Sequence, residues 1–118
     1  MSNFNYNIMA QNEKDLLIKD LCARLPYGVW IERKLKSCKF GAKCMLKAHD
    51  ISSIERGQFD FYKPYLFPLS SMTEEQFKEY MTIPSGYPTI DWFNKNHFDY
   101  RCLIERGLAI DATGLNIY

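Results

Sequence analysis

The sequence contains no long apolar run. No stretch of its 118 residues approaches the roughly 20 consecutive apolar side chains that a membrane-spanning helix needs. The first fifteen residues, MSNFNYNIMAQNEKD, also lack the basic segment and continuous apolar segment that mark an export signal. The sequence therefore predicts a cytoplasmic protein that does not associate with a membrane.

The sequence also lacks an excess of charge of either sign. Fifteen Lys and Arg residues against fourteen Asp and Glu residues give a formal net charge of +1. No global field would therefore draw the protein to nucleic acid or to an anionic membrane, and any electrostatic function must be local.

Residues and motifs that enzymes need are scarce. There are two histidines, His49 and His97, and no motif ties either of them to a cysteine or a serine. The sequence has no glycine-rich phosphate loop, no dinucleotide fingerprint and no HExxH motif. Its carboxylates are explained by helix starts and exposed strand faces, so no pair remains for acid–base work. We therefore expect no enzymatic activity and no cofactor.

One segment resembles part of a zinc finger. In SCKFGAKCMLKAHD, residues 37–50, the interval from Cys38 to Cys44 fits a CCCH finger, but His49 follows after four residues rather than three. A structural zinc takes four ligands, and on an extended strand His49 would lie about 16 Å beyond Cys44. We therefore predict no metal site, and we expect reduced thiols that pack as small apolar side chains at Cys22, Cys38, Cys44 and Cys102.

The first half of the chain predicts an arm, a helix and a small sheet. Residues 1–11 are polar and Asn-rich, which is typical of a flexible arm. Asn12 can cap a helix whose apolar stripe ends at Pro26. Alternation over residues 29–36 then predicts a half-buried strand, Gly41 a reversal, and KCMLKAHDISSI and QFDFYKPYLF two further short strands.

The second half of the chain is predicted to be mainly helical. Thr73 with Gln76 three residues later matches a capping box, which predicts a helix from Glu74 to about Met81. Thr89 and Asp99 are the expected caps of two further short helices. A terminal strand or hairpin is predicted for LAIDATGLNIY.

These patterns together predict an α+β fold. We expect an N-terminal helix, a small curled antiparallel sheet resembling an SH3-like barrel, and C-terminal helices packed against it. After the arm, residues 12–70 are expected to form the N-terminal helix and the barrel-like sheet. Residues 71–118 are expected to form the C-terminal helices. The two parts are expected to form one compact unit.

A basic run is the first candidate binding site. No acidic residue interrupts its six cations, which are Arg33, Lys34, Lys36, Lys39, Lys43 and Lys47. A lysine-rich hairpin of this kind can bind phosphates, and Trp30 and Phe40 offer faces for base stacking. In the other interpretation, the lysines cover the solvated face of the hairpin or protect its edge from pairing.

Aromatic side chains are the second candidate. Most of them are expected to form the core between sheet and helices, because large rings dominate small cores. The surplus predicts a surface for an unidentified protein partner, formed by Trp30, Tyr62, Tyr65, Phe67 and Trp92. The oligomeric state is left open.

Three long segments carry a family resemblance. DLLIKDLCARLPYGV, YKPYLFPLSSMTEEQ and TIDWFNKNHFDYRCLIERGLAID resemble small uncharacterised (hypothetical) proteins of gut Bacteroides-type genomes and their phage-like or other mobile elements. The resemblance implies no activity and no site residues. With the scarcity of catalytic motifs, it predicts a small accessory or adaptor protein of a mobile element that acts by protein–protein interaction, with nucleic-acid binding by the basic hairpin as the alternative.

Overall fold

The computed structural model describes residues 10–118, so the predicted arm lies almost entirely outside the described part. The described residues contain four α-helices and five short strands, which confirms the α+β class. The elements are α1 (Gln11–Arg24), β1 (Trp30–Leu35), β2 (Ala42–Met45), α2 (Ala48–Glu55), β3 (Phe59–Pro68), α3 (Glu74–Met81), α4 (Tyr87–Lys95), β4 (Phe98–Asp99) and β5 (Ile110–Asp111).

The chain divides into two compact units. The first runs to Pro64, and the second is Tyr65–Tyr118. The boundary between them falls inside strand β3, whose first six residues belong to one unit and whose last four belong to the other.

Helix α1 supplies the apolar stripe that was expected in the first unit. Leu17 and Leu21 are fully buried one turn apart. The helix starts after Ala10 and not after Asn12, because the Glu13 carboxylate accepts a hydrogen bond from the Ala10 N–H at 3.4 Å. Asn12 therefore lies inside the first turn, where its side-chain oxygen accepts from the neighbouring Glu13 N–H.

A buried ion pair lies on the same helix. Arg24 donates from Nε to one carboxylate oxygen of Asp20 at 2.7 Å and from Nη2 to the other at 3.2 Å. Both side chains are fully buried. A two-point contact of this kind fixes the guanidinium against the carboxylate and satisfies both carboxylate oxygens.

The sheet of the first unit is antiparallel, as the alternation predicts. In β1, Ile31 lies opposite Cys44 of β2 and opposite Pro64 of β3. Val29 and Ile31 are fully buried, so the face of β1 that carries the apolar residues of the alternating pattern packs against the core. The reversal predicted near Gly41 is confirmed, since β1 and β2 form a hairpin across residues 36–41.

The strand predicted for KCMLKAHDISSI is wrong beyond Met45. Residues Ala48–Glu55 form helix α2. The Asp50 carboxylate accepts a hydrogen bond from the Lys47 N–H at 2.9 Å and so stabilises the first turn, while Ile54 is buried. In a short polar segment with few apolar residues, the hydrophobic pattern does not distinguish a strand from a helix, so contacts such as the Asp50 cap decide between them.

The SH3-like barrel is not supported, because the sheet is open and mixed. In the second unit, β3 pairs in parallel with β4 through Phe67 and with β5 through Tyr65 and Leu66. Of the two alternatives predicted for the C-terminal segment, a strand or a hairpin, the strand forms, as the two-residue β5. Among the described strands the order is β2-β1-β3-β4 with β5 beside β3, and no pairing closes the sheet on itself as a barrel requires.

Helix α3 is confirmed with its cap and both predicted bounds. Thr73 Oγ1 accepts from the Gln76 N–H at 3.1 Å, and Gln76 Oε1 accepts from the Thr73 N–H at 2.9 Å. Helix α4 begins two residues before Thr89, since Pro88 fits the first turn of a helix. The Thr89 hydroxyl donates to the Pro84 carbonyl instead of capping.

The last predicted helix does not form. Asp99 does act as a cap, because its two carboxylate oxygens accept from the N–H groups of Leu103 and Ile104 at 2.9 Å. They stabilise only a series of turns over residues 103–107. Cys102 has a φ of 60°, a left-handed conformation that interrupts a right-handed helix.

Buried aromatic rings organise the core of the second unit. Phe98 is almost fully buried, and Trp92 stacks on it at 5.5 Å between ring centroids. Phe93 stacks in turn on Tyr80 of α3 and on Tyr100, each at 5.5 Å. Of the sixteen aromatic residues among residues 10–118, however, only four are buried and six are exposed, so the expectation that most of them form core is not met. No helix among residues 10–118 is both long and apolar enough to cross a membrane.

Candidate functional site

The six cations of the basic run have different environments on the hairpin. Arg33 belongs to the core-facing side of β1, where its Nε donates to Cys44 Sγ at 2.9 Å and lies 3.6 Å from the Asp50 carboxylate. Its guanidinium lies over the Phe59 ring, 5.2 Å from the centroid. Arg33 therefore holds α2 and β3 against the hairpin and is mainly a structural residue.

Four of the remaining five cations are exposed. Lys34 forms an ion pair with Asp60 of β3 and is 22% exposed, so its charge is already partly neutralised. No ion pair within the described part of the chain involves the other four, which are Lys36, Lys39, Lys43 and Lys47. The basic surface of the hairpin, defined by these four residues, is smaller than the sequence predicts.

Two of these lysines lie over aromatic rings. Lys39 Nζ is 5.8 Å from the centroid of Phe40, and Lys43 Nζ is 5.4 Å from that of Trp30. Phe40 is 77% exposed in the loop of the hairpin, whereas Trp30 is half-buried. The loop therefore presents a cation and an exposed ring together.

The near-zero net charge conceals a division between the two units. Residues through Pro64 contain eleven basic and seven acidic side chains, a difference of +4. Residues from Tyr65 onward contain four basic and seven acidic side chains, a difference of −3. Each unit thus has a charge of its own sign.

The segment that resembles a zinc finger does not gather its predicted ligands. Cys38 lies in the exposed loop after β1, while Cys44 lies on β2 opposite Ile31. His49 is on α2 with its side chain 74% exposed, and its Nε2 lies 3.6 Å from Asp50 Oδ1. No group of three or more metal-binding side chains suited to an ion occurs within residues 10–118.

The expectation that the cysteines pack as apolar side chains is wrong for three of them. All four are free thiols, and Cys22, Cys38 and Cys102 are exposed. Only Cys44 is half-buried, in contact with Arg33. Cys22 is exposed because the buried stripe of α1 is narrower than the spacing of its apolar residues indicates. Cys38 and Cys102 lie in loops outside the core.

The predicted aromatic partner surface is split between the two units. Trp30 and Tyr62 belong to the first unit, and Tyr65, Phe67 and Trp92 belong to the second. Tyr62 is only 8% exposed, and burial raises the pKa of its hydroxyl, so little of the ring is available to a partner. Trp92 is half-buried and donates from Nε1 to the Glu79 carboxylate at 2.8 Å, which fastens α4 to α3.

The second unit instead contains a groove that the sequence does not indicate. Its volume is about 480 Å³, within the range of ligand-binding clefts. Its apolar lining comes from Leu69 and Met72, from Phe77 and Tyr80 of α3 and from Phe93 of α4, and its polar lining includes Glu74. We call this feature the α3 groove.

Exposed apolar side chains are frequent in the segment that contains α3, and two of them, Leu69 and Phe77, line the α3 groove. Half of the ten large hydrophobic residues that are exposed in the described chain fall within residues 69–90, and they are Leu69, Phe77, Met81, Tyr87 and Ile90. Helix α3 has no buried residue, although Phe77 and Met81 lie one turn apart on its apolar face. The amphipathic pattern of α3 was the available signal, but sequence alone does not show which neighbours cover that face.

The charge next to the groove is negative. Helix α3 carries three glutamates, Glu74, Glu75 and Glu79, against the single cation Lys78. Glu74 and Lys78 are both more than 70% exposed and lie 3.8 Å apart, so their attraction is weak. Of these glutamates, Glu74 lines the groove and is its acidic margin.

No protein-family model matches the chain, and neither the curated proteins nor the solved structures contain a significant match to it. The resemblance to proteins of mobile elements therefore stays a prediction. The geometry of the two surfaces is the basis for a functional proposal.

Proposed function

We propose that this chain is a small, non-enzymatic accessory or adaptor protein that acts in the cytoplasm by binding another protein through the α3 groove. The observation that carries the proposal is a surface helix with no buried residue whose Phe77, 51% exposed, lines the groove together with Leu69, 42% exposed. Apolar side chains grouped beside a groove are typical of interaction surfaces, whereas single scattered ones are not.

The acidic margin of the groove specifies the chemistry of the partner. Apolar side chains of a peptide would enter between Leu69 and Phe77, and a Lys or Arg next to them would lie near Glu74. Opposite charges at the edge of an interface increase the association rate and select among partners of similar shape. The proposed ligand is therefore an apolar peptide segment flanked by basic residues.

A selection with a displayed library of random peptides tests the proposal on the whole chain. We expect the bound peptides to combine apolar residues with Lys or Arg. In titrations with a synthetic selected peptide, Phe77→Ala and Leu69→Ala should each weaken binding, about fivefold or more, because both side chains line the groove and a central interface residue contributes more than about 1 kcal/mol. Glu74→Lys should mainly slow association.

Leu115→Ala is the matched control, because Leu115 is 48% exposed but does not line the groove. It should leave binding unchanged. A library that yields no peptide dependent on Phe77, or peptides whose binding falls equally in Leu115→Ala, would contradict the proposal. Because Phe77 and Leu115 are both exposed, neither substitution should unfold the protein.

The association with a mobile element is a separate part of the proposal and rests on the three resembling segments alone. The neighbouring genes test it. Genes for phage or transfer functions beside this one in several genomes would support it, and a constant set of metabolic genes would contradict it.

A further inference from the structure

We infer that the hairpin of the first unit binds single-stranded nucleic acid, independently of the α3 groove. The binding surface consists of the exposed lysines of the hairpin and the faces of Phe40 and Phe61, and Arg33 and Lys34 do not take part. The observations are the charge of the unit, the exposure of the cations and the placement of the rings.

The register of the sheet places rings and cations on one face. Residues directly opposite each other in an antiparallel pair project to the same side. Glu32 therefore shares a face with Lys43 of β2 and Lys63 of β3, and Lys34 shares it with Phe61. Trp30 and Met45 continue the same face. This is the side of the sheet opposite to the buried residues Ile31 and Tyr62.

The loop of the hairpin extends this face. A Cβ at Gly41 would lie 3.2 Å from the Phe61 ring, so the end of the loop lies directly against Phe61. Phe40, the preceding residue, is 77% exposed, and Phe61 is 37% exposed. The exposed Phe40 therefore precedes the residue of the loop that lies against Phe61, with Lys39 over the Phe40 ring and Lys43 over the Trp30 ring.

Single strands fit this arrangement better than duplexes do. In a single strand the bases are free to stack on aromatic side chains while lysines contact the backbone, and such stacking needs no particular sequence. In a duplex the bases are already stacked, so Phe40 would gain no partner. An acidic peptide would satisfy the lysines but would leave the rings without a flat partner.

The number of exposed lysines predicts the salt dependence. For single strands, the logarithm of the binding constant falls with the logarithm of salt concentration with a slope of about −0.7 for each phosphate neutralised. Four lysines predict a slope of about −2.8, so raising the salt from about 50 to 200 mM should weaken binding about 50-fold.

Fluorescence anisotropy with labelled oligothymidylate and oligouridylate of about 15 nucleotides, a length near the upper site size of small binding domains, tests the inference on the whole chain. Lys36→Glu/Lys39→Glu should weaken binding and lower the salt slope. Phe40→Ala should weaken binding about 5- to 100-fold at an unchanged slope, because a stack is lost and no phosphate contact is lost.

Lys19→Glu/Lys95→Glu makes the same change of charge at exposed helix positions outside the hairpin and is the control. Its binding should stay within about twofold of the original protein once salt reaches about 150 mM, where distant charges are screened. The inference is overturned by no binding at about 50 mM salt, by equal losses in the control, by an unchanged affinity of Phe40→Ala, or by tighter binding of a duplex or of polyglutamate.

Discussion

Replacing Arg24 with methionine should destabilise the protein more than any surface substitution on its helices. Arg24 and Asp20 are fully buried and joined at two points. Arg24→Met removes the guanidinium that binds the buried Asp20 carboxylate, and breaking a buried pair in this way typically costs about 3–5 kcal/mol. With an unfolding entropy of about 2.1 cal/mol/K for each of 118 residues, this corresponds to a Tm about 12–20 °C lower.

The double variant Asp20→Leu/Arg24→Met separates the pair from the rest of the core. Because apolar residues of similar volume need no charge compensation, the double variant should recover most of the stability lost in the single variant. Urea unfolding followed by circular dichroism measures all corners of the cycle. A coupling energy of about 2–4 kcal/mol is expected.

The exposed pair Glu74 and Lys78 is the control for this cycle, since it has the same spacing on a helix but lies in solvent. Its coupling energy should be about 0.3–0.5 kcal/mol. If the buried pair gave a coupling energy no larger than the exposed pair, the reasoning about burial would be refuted.

Two further predictions concern local contacts of the second unit. Thr73→Ala should lower the stability of α3 by about 1 kcal/mol, because the helix lacks buried residues and depends on its cap, and amide exchange in α3 should accelerate while Thr73→Ser leaves it unchanged. The Thr113 hydroxyl and N–H hold the pKa of Asp111 below its ordinary value, so the stabilisation is present above the ordinary pKa and is lost as the pH falls through the folded-state pKa. An NMR titration should place the Asp111 midpoint below that of an ordinary aspartate, and Thr113→Val should raise it; an unchanged midpoint would contradict this.

Local signals predicted the elements that local contacts specify. The capping box of Thr73 and Gln76 closes within three residues, and α3 follows with the expected bounds. The alternation of β1 likewise gave the hairpin, because one face of that strand is buried. Asp99 was identified as a cap. The left-handed conformation of Cys102, which prevents the predicted helix from forming, could not be predicted, because only glycine adopts this conformation routinely.

The candidate sites were predictable only in part. The alternation that places Ile31 in the core also places Arg33 on that side, so the sequence contained the information that Arg33 differs from Lys36. The pairing of Lys34 with Asp60 joins residues 26 positions apart and depends on the register between β1 and β3. The α3 groove depends in the same way on which helix faces lack a neighbour, and this is decided by tertiary packing.

Strand β3 limits how the protein can be dissected. The boundary between the compact units falls after Pro64, and the same strand continues to Pro68. A fragment that ended at Pro64 would keep its hydrogen bonds to β1 but would end in the middle of a strand, and a fragment that began at Tyr65 would place a charged amino terminus at the first residue of its own parallel ladder. If the two halves were expressed separately, a loss of binding could therefore result from fraying of the cut strand and not from the absence of a binding surface. Point substitutions in the intact chain are the cleaner way to assign each binding activity to its surface.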